Sequence, residues 1–298
     1  MSARFTLDLP AAYDAGHAFA FHGRDAGGLA EQVADGRIRK GVLLDGVPVL
    51  LDIAVHDGRA DCTVDADGGA LPARARAALE NMLGLRIDPA RFAAQVADDG
   101  LFGPLVRRQP GLRVIQSATV FEALTWAVIG QQINLSFAIA LRRSFIEQAG
   151  RPHASGLWCY PEAVDVARLD IEQLTSRKFS RAKAETLLRL ARLVADGELD
   201  LEGLLDDGDV ARAERRLLAV KGIGPWTVNY ALLRGYAYPD CSLQGDVAVR
   251  TALGRLLGDP DPAHRPGIRE AEALLAAYRP QRTMAAAYCW ASLSQPAG

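Results

Sequence analysis

Two stretches of this chain carry groups whose types and spacing suit chemistry. In the first, Leu217-Leu218-Ala219-Val220-Lys221-Gly222-Ile223-Gly224-Pro225-Trp226-Thr227-Val228-Asn229-Tyr230, two glycines flank an isoleucine and a proline follows. Glycine reaches backbone conformations that other residues resist, so Gly222 and Gly224 suit a tight turn with Ile223 dropped into the core. Pro225 fits the first position of the next helix, where its missing N–H costs nothing. The pattern predicts helix, hairpin turn, helix over 209–234. The backbone amides of Gly222, Gly224 and Thr227 would point outward at the positive end of a helix dipole, which suits a phosphate. Each such anion contact contributes roughly 0.3–1 kcal/mol. A bare G-x-G turn is equally an ordinary corner capped by glycine.

The second stretch is Ser242-Leu243-Gln244-Gly245-Asp246-Val247-Ala248-Val249-Arg250. Val249, Ala252, Leu253, Leu256 and Leu257 form a helical apolar stripe, so Asp246 falls at the helix start beside a glycine that gives access. Helix-dipole and amide contacts at such a position keep a carboxylate ionised at neutral pH. On these residues alone, the same aspartate is also a plain N-cap contributing about 1 kcal/mol.

The elements that must hold these stretches fall into two regimes. From Arg4 to Gly69 the apolar residues alternate with period two. Val42 to Leu44 and Val47 to Val55 meet at Asp45-Gly46, and Asp57-Gly58 leads into Arg59 to Val64. Asp-Gly between apolar runs signals a hairpin, so a small antiparallel sheet is expected, with a helix around Gly27 to Ala34 on one face. Pro48 argues for an edge or a bulge. From Pro72 onward helical periodicity takes over. Thr119 with Glu122 makes a capping-box pattern. Gly130 interrupts that helix before another starts near Asn134, and Ser180 caps Arg181 to Ala195.

Composition narrows the class without naming it. The 298 residues are 49% hydrophobic and 23% charged, ordinary for a soluble globular chain. The net charge of −2 lacks the basic surplus common among nucleic-acid binders, so any phosphate contact must be local. Cys62, Cys159, Cys241 and Cys289 match no zinc or iron-sulfur spacing. The N-terminus does not read as a signal peptide and no apolar run reaches a membrane span, so a cytoplasmic protein is expected.

Taken together, L-x-x-V-K-G-I-G-P-W-T-V-N-Y and, after a short loop, L-Q-G-D-V-A-V-R resemble the helix-hairpin-helix (HhH-GPD) DNA glycosylase superfamily. The nearest resemblance is to its bacterial 3-methyladenine DNA glycosylase II type. Phe121-Glu122-Ala123-Leu124 through Ile129-Gly130-Gln131-Gln132 is similar to that family's segment before the active site. The resemblance implies an α+β fold, mostly helical, with an N-terminal antiparallel TBP-like α/β domain over 1–86. The glycosylase region over 87–298 would be two helical subdomains with a cleft between them.

By resemblance, Asp246 is the catalytic carboxylate, Gln132 the intercalating wedge with Gln131 assisting, and Trp226, Tyr230, Phe21 and Gln281 the base pocket. Gln281 and Val247 stand where that type carries aromatics. Trp226 occupies the position of the lysine used by relatives that also cleave the backbone, so a monofunctional enzyme is expected. Trp290 and Tyr288 are read as packing residues. The resemblance implies no metal or organic cofactor and allows a structural monovalent cation at the hairpin turn. It implies double-stranded DNA with alkylated bases as partner, no membrane, and a monomer. Alternatives are a non-catalytic damage-binding protein and a glycosylase for deaminated or mismatched bases.

Overall fold

The computed structural model describes residues 1–68, 70–259 and 261–293. The period-two segment forms a sheet of β1 (Ser2–Asp8), β2 (Glu31–Ala34), β3 (Arg37–Leu44), β4 (Val47–His56) and β5 (Arg59–Ala66), extended by β6 (Arg151–Pro152) and β7 (Trp158–Tyr160). Its order is β1-β5-β4-β3-β7-β6, with β2 also on β3. Asp45-Gly46 and Asp57-Gly58 each place both residues at positive φ (53° and 77°, 45° and 73°), as tight hairpin turns require.

Three expectations are corrected here. No helix forms over Gly27 to Ala34. A third Asp-Gly pair, Asp35-Gly36 (φ 50° and 71°), folds Glu31–Ala34 back onto Arg37–Lys40 as β2. The helix lies earlier, at Ala15–His22, where Asp14 caps it by accepting from the Gly16 N–H at 2.8 Å. Pro48 makes neither an edge nor a bulge, because β4 is internal and its register with β3 is unbroken through Leu43↔Pro48. Its carbonyl accepts from Asp67 beyond the end of β5, so the missing N–H faces a place where no ladder bond is lost.

The sheet is also not wholly antiparallel or wholly N-terminal. Residues of β7 run parallel to β3 through Gly41↔Cys159 and Val42↔Tyr160, crossing the expected partition at 86. Gly41 permits this approach, since a Cβ there would collide with the Trp158 carbonyl.

Fourteen α-helices are present among the described residues; the main hydrophobic core runs from Leu7 through the sheet to Cys289, with a smaller cluster of Trp126, Ala127, Ala138 and Tyr230. The helix Val120–Gly130 is its axis: every residue from Val120 to Ile129 is buried. Thr119 caps it as expected, accepting from the Glu122 N–H at 3.1 Å. The Glu122 carboxylate instead accepts from the Ala118 N–H and enters a buried ionic cluster. There Lys40 Nζ bonds Glu122 at 2.7 Å and also Glu31, while Arg142 lies 2.8 Å from Glu122 and 3.4 Å from Glu31. Burial pushes both carboxyls up, but the Lys40 and Arg142 charges outweigh it and hold Glu122 below, and Glu31 well below, the usual range. The cluster ties β2 and β3 to the helices that carry the site.

Candidate active site

The hairpin forms as Val210–Leu218, a turn, and Pro225–Arg234. Asp209 caps the first helix and Pro225 opens the second. Leu217, Val220 and Ile223 point into the core and pin the turn. Gly222 has φ +98°, and a Cβ there would collide with the Thr186 hydroxyl, so two independent constraints demand glycine. Gly222 is exposed and Gly224 half-buried. Thr227 differs from expectation: it is 1% exposed, and its hydroxyl accepts from Gln131 Nε2 at 2.9 Å. Gly222 and Gly224 are the more exposed of the three.

Asp246 is the N-cap of Val247–Leu256 and does more than cap. Its Oδ1 accepts from the Val249 N–H at 2.9 Å and from Trp290 Nε1 at 3.2 Å. Its Oδ2 accepts from Trp226 Nε1 at 2.9 Å. Three N–H donors from three helices thus fix one half-buried carboxylate, and charge-assisted bonds of this kind are about twice as strong as neutral ones.

The carboxylate borders an open groove of about 760 Å³. One wall is Gly222, Gly224, Pro225, Trp226 and Thr227 of the hairpin; another is Gly130 to Asn134; Gly245, Asp246 and Val247 close it. Gln132 and Gln131 have separate situations there. Gln132 is exposed, with a left-handed backbone (φ 57°) unusual outside glycine. Gln131 is clasped to the hairpin through the Gly222 carbonyl (3.2 Å) and Thr227. No lysine lines this groove among the described residues. Lys221 is exposed on the turn, its carbonyl accepting from Arg189 at 3.0 Å, and Lys183 donates to the Ile129 carbonyl at 2.7 Å beside the glutamines. Burial lowers the Lys183 pKa from its ordinary value.

Of the four expected pocket residues, Trp226 alone lines the groove. Tyr230 is buried behind it, the two rings 5.3 Å apart. Phe21 lies farther back, over the Arg24 and Arg234 guanidinium groups. Gln281 is 6% exposed and opens the helix Arg282–Leu293, its carbonyl accepting from Met284; it does not reach the groove. That helix supplies the residue that sequence reasoning missed, Trp290, assigned there to packing. Tyr288 does pack, stacked on Phe92 and donating to the Gln109 carbonyl. An indole two residues on carries no sequence signal that it will meet Asp246. Arg282 is structural, paired with Asp240 and Glu272.

The hairpin carbonyls available to a monovalent cation already accept protein donors: Val220 from Ile223, Lys221 from Arg189, and Gly222 from Gln131. A cation at the turn would have to share them. Among the described residues, no three His, Cys, Asp or Glu side chains cluster as metal ligands, and no helix is long and apolar enough to cross a membrane.

Comparison with known proteins agrees with this architecture. Residues 125–275 match the model of the HhH-GPD superfamily base excision DNA repair proteins. A DNA-3-methyladenine glycosylase of Bacillus subtilis is 38% identical over 165 residues, 54% of this chain and 54% of that protein. A second Bacillus relative is matched over 62% of its length, so the alignment leaves more than a third of each outside. The DNA-3-methyladenine glycosylase 2 of Escherichia coli is 26% identical over 83% of this chain and 86% of its own. The solved 3-methyladenine DNA-glycosylase from Archaeoglobus fulgidus shares the fold, with TM-score 0.80 and 22% identity over 96% of this chain and 97% of that one. With more than half of its length matched by the family model, this chain belongs to the HhH-GPD superfamily of base excision DNA repair proteins.

Proposed function

We propose that this chain is a monofunctional DNA glycosylase that removes alkylated bases from duplex DNA and leaves an abasic site. The observation that carries the reading is the Asp246 carboxylate, held by three N–H donors on the wall of the groove shared by the hairpin turn and Gln132. Rupture of an N-glycosidic bond leaves positive charge on the sugar. An anion about 4 Å away stabilises that charge by about 4 kcal/mol at an effective dielectric near 20. Water then attacks the sugar. 3-Methyladenine, the base named for the relatives, and 7-methylguanine are the default substrates, and both leave readily because they depart neutral.

A base inside a duplex is out of reach and must be flipped, at a cost of a few kcal/mol. The hairpin glycines would hold the backbone, Gln132 would fill the vacated stack, and Trp226 would offer its face to the base. Trp226 in the lyase-lysine position and a groove wall without lysine favour hydrolysis without a Schiff base. The protein would act as a monomer without a metal. The test is release of free base and intact abasic strand from an alkylated duplex. Strand cleavage trapped by borohydride would sink the monofunctional part, and no release from any lesion would leave a damage-binding protein.

A further inference from the structure

The helix Arg181–Ala195 lines no part of the groove, yet three of its side chains reach the two walls. Lys183, Thr186 and Arg189 are spaced three apart, so they share one helix face. Lys183 Nζ donates to the Ile129 carbonyl at 2.7 Å, one residue before the wall formed by Gly130 to Asn134. Arg189 donates to the Lys221 carbonyl at 3.0 Å, on the hairpin turn. Between them the Thr186 hydroxyl fills the space where a Cβ on Gly222 would lie.

Each contact falls where a small shift matters. Ile129 sits in the last turn of Val120–Gly130, where carbonyls have no partner within the helix. An ammonium there satisfies the carbonyl and meets the negative end of the dipole. Gln132, with its left-handed backbone, follows three residues later, so the anchored carbonyl sets where that side chain starts. On the hairpin, the Lys221 carbonyl and the Gly222 N–H share one trans peptide plane, so that N–H points away from Arg189. It donates to no protein group among the described residues, and the guanidinium on the carbonyl strengthens it as a donor. Gln131 completes the frame, bridging from the loop to the Gly222 carbonyl and the Thr227 hydroxyl. Neither Lys183 nor Arg189 is neutralised by a carboxylate: among the described residues the ion pair on this helix is Arg181 with Glu185.

We propose that Lys183 and Arg189 are positioning residues that hold the Gln132 loop and the hairpin turn in one register, so that a duplex gripped at the turn meets the wedge already in place. This rests on the glycosylase reading and adds a helix outside the groove to its machinery. Lys183 acts through Gln132 on base opening, and Arg189 acts through the Gly222 amide on the grip itself.

The test measures grip as affinity for an undamaged duplex, and opening as the fluorescence of 2-aminopurine beside a single 7-methylguanine. Lys183→Met should keep the grip within about twofold and lower opening by about tenfold, as the loss of one charge-assisted bond allows, and Lys183→Arg should restore most of it. Arg189→Met should weaken the grip by about tenfold. Adding Lys183→Met to Gln132→Gly should lower opening no further, because the two act as one unit. Losses that multiply in that pair, unchanged opening in Lys183→Met, or equal losses of grip and opening would each overturn the role of Lys183; an unchanged grip in Arg189→Met would overturn that of Arg189. Opening needs no chemistry, so wild type that opens the duplex but releases no base would sink the glycosylase reading and leave these outcomes to decide the positioning roles.

Discussion

Replacing Asp246 with asparagine should separate the carboxylate's charge from its role as a cap. Asparagine keeps one oxygen, which can still accept from Val249 and Trp290, but its amide nitrogen would face Trp226 Nε1 at the 2.9 Å now spanned by a hydrogen bond. Two donors then oppose each other, and an indole N–H left without an acceptor costs about 1–3 kcal/mol of stability. The fold should survive with a lowered melting temperature. Catalysis loses the anion: about 4 kcal/mol at 4 Å and an effective dielectric of 20 corresponds to roughly a thousandfold in rate. Single-turnover release of base from an alkylated duplex, with enzyme in excess, reads the chemical step. Release within tenfold of wild type by a folded Asp246→Asn protein would refute the electrostatic argument.

Gly222→Ala forces a side chain into positive φ against Thr186 and should cost at least about 1 kcal/mol, with weaker duplex binding by fluorescence anisotropy; wild-type stability and affinity together would contradict the two constraints placed on that glycine. Gln132→Gly relieves a left-handed backbone, so denaturation should show equal or greater stability, whereas 2-aminopurine fluorescence beside a lesion should show less base opening; unchanged opening would remove Gln132 as the wedge. Glu122→Gln breaks a buried ion cluster and should cost about 3–5 kcal/mol in urea titrations. Because Glu31 and Glu122 titrate below their ordinary values in the fold, their contribution is present above about pH 4 and is lost as pH falls toward the folded values. A wild-type stability that does not drop on acidification would contradict that sign.

What was legible in the sequence was what local chemistry determines. Asp45-Gly46 and Asp57-Gly58 announce hairpins because left-handed backbone needs such residues. The hairpin glycines, the Pro225 start and the Asp246 cap are likewise decided within a few residues of themselves. Glu31–Ala34 was misread because a four-residue strand shows too little periodicity, and Asp35-Gly36 was the signal overlooked. Strands β6 and β7 have even less pattern; they pair because β3 offers a free edge beyond β2. The contact of Trp290 with Asp246 was hidden for the same reason. Which face of Arg282–Leu293 meets Asp246 is decided by its packing on Val247–Leu256, and no local rule encodes that.

In the proposed reaction the Asp246 carboxylate faces a sugar that turns positive. The most direct test of this is the affinity of the chain for a duplex in which one sugar ring is replaced by a protonated pyrrolidine, compared with a duplex carrying a neutral tetrahydrofuran at the same place. Wild type should prefer the cationic ring by about a hundredfold or more, and Asp246→Asn should lose that preference while binding the neutral duplex as before. Equal preference in the two proteins would mean that the carboxylate does not face the reacting sugar.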